Sequence, residues 1–223
     1  MKCLKKISAI LLAAAMAVSL WGCQREYDAS GYTNAILNLQ FQGDTKEAFA
    51  FVEGTTQSSL AEMYRDFIDN FVDGYLTDGM ELTDEQSEKF SEVMSNIFAS
   101  MRYDTGEAEK TGEKEYEVPV VIQPTDTFIR YQQLLTEDSI RISNKLKNDD
   151  YEGGGEEIQS AVLDEIATNA AELLETAYEG SEYGEEQTVI LRVKADKDDV
   201  YSIDEEDMDN LIVKILRLDE IGD

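Results

Sequence analysis

The side chains that most often carry chemistry at neutral pH are thinly supplied here. Histidine is absent, two cysteines stand at Cys3 and Cys23, and 48 Asp and Glu face 19 Lys and Arg, for a formal charge of −29 over 223 residues. Without histidine the usual general base, the commonest zinc ligand and the neutral-pH switch are missing. No Gly-x-Ser-x-Gly elbow supplies a serine nucleophile. Cys23 is the residue placed for chemistry. It closes an uncharged apolar stretch, residues 7–20, that follows Lys2, Lys5 and Lys6.

The carboxylates are abundant, and abundance removes specificity. The turn Asp196-Lys197-Asp198-Asp199 clusters hard oxygen ligands, but the sixth position from Asp196 is Tyr201 rather than glycine and the twelfth is Asp207 rather than glutamate. It fails the calcium-loop pattern and reads as a solvated hairpin turn. Glu205, Glu206 and Asp207 follow a capping Asp204, where negative charge complements the helix dipole. Gly153-Gly154-Gly155 is followed by Glu156 and Glu157 rather than Lys-Ser/Thr, so it reads as a helix connection instead of a phosphate loop. Tyr151, Tyr178 and Tyr183 flank loops, yet the mature chain has no tryptophan for a sugar platform beside paired carboxylates. No catalytic, metal or cofactor site is expected. The charge argues against nucleic acid, whose affinity comes from neutralising phosphates with Lys and Arg.

The apolar stretch is shorter than the ~20 residues a membrane-spanning helix needs and reads as a secretory signal. Leu20-Trp21-Gly22-Cys23 resembles the lipobox of bacterial lipoproteins, with Trp21 where a small residue is usual. The resemblance implies cleavage before Cys23 and a diacylglyceryl group on its sulfur. Two acyl chains hold a protein firmly, at about 0.8 kcal/mol per buried methylene. The expected organisation is a signal peptide over 1–22, a tether over 23–27 and one extracytoplasmic domain over 28–223. Cys3 and Trp21 leave with the signal, so the domain carries no disulfide and must hold together through its core.

Local patterning supplies the elements. Asp28 reads as an N-cap with Gly43 as the stop, and Asp44-Thr45-Lys46-Glu47 as a capping box before a short helix. Leu60, Tyr64, Phe67, Ile68, Phe71, Val72 and Tyr75 make one helical stripe. Thr83 with Gln86 opens the next, with Phe90, Val93, Met94, Ile97 and Met101 on its inner face. The period then changes to two over 103–108 and 116–122, where Pro119 predicts an edge or bulged strand. Two helices over 126–147 and 156–179 follow, the second burying Val162, Ile166, Ala170, Leu173 and Ala177. A hairpin over 188–195 and 200–203 and a helix capped by Asp204 complete the chain. The order predicts an α+β fold: an antiparallel sheet of about four strands in two hairpins, with helices on one face.

The wording Tyr27-Asp28-Ala29-Ser30-Gly31-Tyr32, Gln42-Gly43-Asp44, Tyr103-Asp104-Thr105-Gly106-Glu107-Ala108 and Tyr116-Glu117-Val118-Pro119-Val120 resembles uncharacterised lipoproteins of Gram-positive bacteria over most of residues 27–215. Val200-Tyr201-Ser202-Ile203-Asp204 is similar to the closing strand of cystatin-like and nuclear-transport-factor-like domains, an analogy of fold alone. These resemblances imply topology rather than an activity. The anchor signal, the packable α+β domain and the missing catalytic set instead lead to the expectation of a non-enzymatic binding or envelope-accessory module on the outer face of the cytoplasmic membrane, with an envelope protein or a small ligand as partner. The alternative is a carboxylate-based, metal-dependent envelope enzyme.

Overall fold

The computed structural model describes residues 26–52 and 54–222. Seven α-helices and five strands follow in order: α1 (Ala29–Gln42), α2 (Thr45–Phe51), α3 (Gln57–Phe71), α4 (Asp84–Ala99), β1 (Arg102–Thr105), β2 (Glu109–Lys110), β3 (Glu115–Gln123), α5 (Thr127–Lys147), α6 (Gly155–Glu179), β4 (Gln187–Ala195), β5 (Tyr201–Ile203) and α7 (Glu205–Ile215). The fold is α+β. All strand pairings are antiparallel, in the order β1-β3-β4-β5, with β2 beside β3 on the same edge as β1.

The first expected strand is divided. Thr105 pairs with Val120 and Glu109 with Glu117, leaving three residues of the edge strand against two of β3. This bulge explains Pro119. The Gly106 amide donates to the Pro119 carbonyl (2.8 Å), so the proline nitrogen points to the interrupted edge, and no ladder bond to β4 is lost. β3 is thus internal, with Pro119 opposite Ile190 of β4. Gly106 is needed because a Cβ there would meet the Pro119 ring at 2.9 Å. Ser30 of α1 completes the bulge. Its hydroxyl donates to the Gly106 carbonyl (2.9 Å) and accepts from the Ala108 amide (2.8 Å).

Period-two patterning places Tyr116, Val118, Val120 and Ile122 of β3, and Val189, Leu191 and Val193 of β4, in the core. They pack with Phe41, Phe71, Phe90 and Phe98 and with Met208, Leu211, Ile212 and Ile215 of α7. The opposite face stays half open, with Ile190 44% exposed.

Most helix boundaries follow cap chemistry. Asp28 accepts from the Gly31 amide, Asp204 from Glu206, and Thr83 and Gln86 form a reciprocal box. Gly43 ends α1 at φ 66° with Tyr64 against it, where a Cβ would sit 3.0 Å from the ring. Asp44 caps α2, but the expected box does not close. Glu47 instead accepts from Asn34 (3.2 Å) and Asn38 (2.8 Å) of α1. The α3 stripe runs on into a single π-helical turn, Val72–Leu76. In α6 the buried face is Ala167, Ala170, Ala171, Leu174 and Ala177, one position round from the expected stripe; Val162, Ile166 and Leu173 are half-buried. The triple glycine is partly a cap. Gly154 is the N-cap, and its amide donates to Glu157 (2.8 Å).

Candidate attachment site and surface groups

Cys23 and the signal that precedes it lie outside the described residues. The chain enters the fold at Glu26 and Tyr27. The Tyr27 ring stacks on Tyr201 of β5 at 3.7 Å between centroids with 6° between planes, and lies about 6 Å from Tyr32 of α1 and Tyr116 of β3. Three elements, α1, β3 and β5, thus close on the residue four positions after Cys23. Burial pushes the Tyr27 hydroxyl far above its ordinary value, with the neighbouring Tyr32 and Tyr201 adding to the effect. The Tyr32 hydroxyl donates to the Tyr201 carbonyl (3.3 Å).

Two turns stand beside this entry point. Lys110, at the end of β2, lies 3.7 Å from Glu26, and Lys114, in the β2–β3 turn, pairs with Asp199. The β4–β5 turn carries Lys197, while Lys194 lies 3.5 Å from Glu115. Asp196 works as a turn former, its carboxylate accepting from the Asp198 (2.8 Å) and Val200 (3.0 Å) amides. A carboxylate so engaged is the hairpin turn expected at this position.

The acidic start of α7 does more than face the dipole. β5 ends beside Val193, and α7 takes over along the free edge of β4. Asp207 accepts from the Arg192 amide (2.9 Å) and receives the Arg192 guanidinium on both oxygens (2.7 and 2.9 Å), while Asp204 takes a further bond (2.9 Å). The side chain of Arg192 and the unpaired edge amide are satisfied together. Nothing local in Glu205-Glu206-Asp207 distinguishes the third acid from its neighbours. The signal is the lone Arg192 in an apolar strand.

The loop tyrosines are structural in the same way. Tyr183 donates to the Ser100 carbonyl (2.8 Å) and carries the Arg102 guanidinium over its ring at 3.7 Å. Tyr151 donates to Glu165 (2.7 Å), which also receives Lys145 (2.7 Å) and Arg141 (2.6 Å), tying α5 to α6. These donors, Lys145 foremost, hold the Glu165 carboxyl down to about 2.

A groove of about 640 Å³ runs between α3, the π-helical turn and α4, with Tyr64, Ile68 and Val72 as its apolar wall. Asp69, Asp73, Glu88 and Glu92 line it beside Arg65, and Ser91 donates to Asp69 (2.7 Å). Its charge favours a cationic visitor and repels phosphate or carboxylate. Among the described residues no three Asp, Glu or Cys side chains are arranged to hold a metal ion, and no helix is long and apolar enough to cross a membrane.

No family model and no curated protein matches this chain. Among solved structures, that of ycdA from Bacillus subtilis, described as a candidate lipoprotein, superposes with a TM-score of 0.49 and 15% identity. The match covers 85% of this chain and 56% of that one, so this chain spans little more than half its length.

Proposed function

We propose that this protein is an exported lipoprotein, acylated on Cys23, that holds a non-enzymatic α+β module at the outer face of a bacterial cytoplasmic membrane. The observation that carries the reading is the juxtaposition of Leu20-Trp21-Gly22-Cys23 with a fold that begins four residues later at Tyr27. A cysteine at the end of a charged-then-apolar leader, four residues before the first packed side chain described, suits an anchor. The carboxylates followed above act as caps, turn formers and ion-pair partners, which suits a binding or envelope-accessory role for the module. Replacing Cys23 with alanine tests the anchor. The parent protein stays in the membrane pellet through a carbonate wash and the C23A variant leaves it; a variant that stays bound refutes the assignment. Titrating calcium and magnesium while following Tm tests the rest. The module gives no saturable shift at micromolar ion, and such a shift would favour a metal-dependent enzyme.

A further inference from the structure

We infer that the short tether presents one particular end of the fold to the lipid surface, the end formed by the β2–β3 and β4–β5 turns. The inference rests on the lipid anchor at Cys23 and concerns what the fold does with it.

The chain leaves the fold at that end and is held there by independent contacts. Tyr27 is stacked on Tyr201 and flanked by Tyr32 and Tyr116. One turn into α1, Ser30 is bonded to the backbone of Gly106 and Ala108 at the bulge. The exit point therefore cannot wander over the surface without dismantling both. From Tyr27 back to Cys23 the chain reaches at most about 14 Å. β3 runs from Glu115, at the tether end, to Gln123 and is about 27 Å long. The tether is half as long as the sheet it carries. A lipid at Cys23 thus keeps residues 111–114 and 196–199 nearer the headgroups than Arg102, Gln123 and Gln187, which lie together at the other end.

Charge adds no attraction at this end, and the placement rests on the tether. Removing the three lysines of the leader takes the formal charge from −29 to −32, so most of the domain is repelled by an anionic surface. At the tether end, Lys110, Lys114, Lys194 and Lys197 each stand within ion-pair distance of an acid. Those acids, with Glu109, Glu113 and Asp196 in the same segments, outnumber the lysines, so this end too is net negative and is held near the headgroups by the tether rather than by attraction. With the tether end held at the lipid and the whole domain acidic, the far end of the sheet is the part offered to the envelope.

The mature chain lacks tryptophan, because Trp21 precedes Cys23, and this makes a direct test available. Two single-tryptophan variants of the lipidated full-length protein, Lys197→Trp at the tether end and Gln187→Trp at the far end, are placed in vesicles of phosphatidylglycerol and phosphatidylcholine carrying a headgroup-attached quencher. Lys197 and Gln187 are both exposed, so neither change disturbs the core. The tryptophan at 197 should be quenched several-fold more than that at 187. Insertion of a Gly/Ser segment of about 20 residues after Gln24, whose r.m.s. span of about 25 Å matches the sheet, should abolish the difference. Equal quenching in the two variants, or stronger quenching at 187, overturns the orientation. The same vesicles are washed with carbonate: protein that washes off overturns the anchor and this inference with it, whereas protein that stays and shows no difference overturns the orientation alone.

Discussion

Ser30 shows how much of this structure depends on single polar side chains serving two masters. Its hydroxyl satisfies a carbonyl and an amide that the β-bulge would otherwise leave without ladder partners. Ser30→Ala should therefore lower the unfolding free energy by about 1–3 kcal/mol, the cost of orphaned backbone groups, as read by chemical denaturation. Glu165 is the contrasting case, a well-connected but partly exposed carboxylate. Glu165→Gln should cost only about 0.5–1 kcal/mol, because exposed ion pairs are screened and entropically expensive. The pH dependence carries the sign. A carboxyl lowered from 4.5 to about 2 contributes fully above its unfolded value and loses that contribution as pH falls between the two. Parent and variant should differ by a constant amount from pH 6 to 8 and converge between pH 4.5 and 2.

Elements that end in local chemistry were legible in the sequence. Asp28, Thr83 with Gln86, Asp204 and Gly43 all act where the residue types alone place them, since a cap needs only its own next three amides. Features decided by neighbours far along the chain were not. Glu47 abandons its capping box for two asparagines of α1, and the bulge opposite Pro119 needs Ser30, 76 residues before Gly106, to fill it. The stripe of α6 turns by one position because α4 and the core accept alanines there. Asp207 is the clearest instance. It reads as one of three equivalent acids, yet it alone bridges the Arg192 guanidinium and the exposed edge amide of β4. Asp207→Ala should cost about 1–3 kcal/mol, whereas Glu205→Ala should cost no more than the ~0.3–1 kcal/mol of a first-turn charge. Comparable losses in thermal melts of the two variants would mean that the edge contact contributes nothing.

At the scale of the whole molecule the dominant facts are the charge and the missing histidine. The groups whose surroundings perturb them most move away from neutrality, Tyr27, Lys145 and Arg192 upward through burial or carboxylate partners and Glu165 and Glu220 downward through cationic partners. Stability should accordingly be flat from pH 6 to 8, and a step in Tm inside that window would contradict it. Salt should matter more. The self-repulsion of a domain at −32 after the proposed cleavage is screened as the Debye length falls from about 30 Å at 0.01 M to about 8 Å at 0.15 M, so Tm should rise across that range. The proposed attachment site rests on residues 2–23 alone, because export and acylation are read from a linear pattern. The tyrosine cluster that receives the tether was not, because Tyr32, Tyr116 and Tyr201 meet Tyr27 only in the folded chain. The proposed anchor would join the domain through one covalent bond on Cys23, and that bond can be weighed. Mass spectrometry of the N-terminal peptide of membrane-extracted protein should find a chain beginning at Cys23 with a diacylglyceryl adduct on its sulfur; a chain still beginning at Met1, or an unmodified cysteine at 23, would contradict the account.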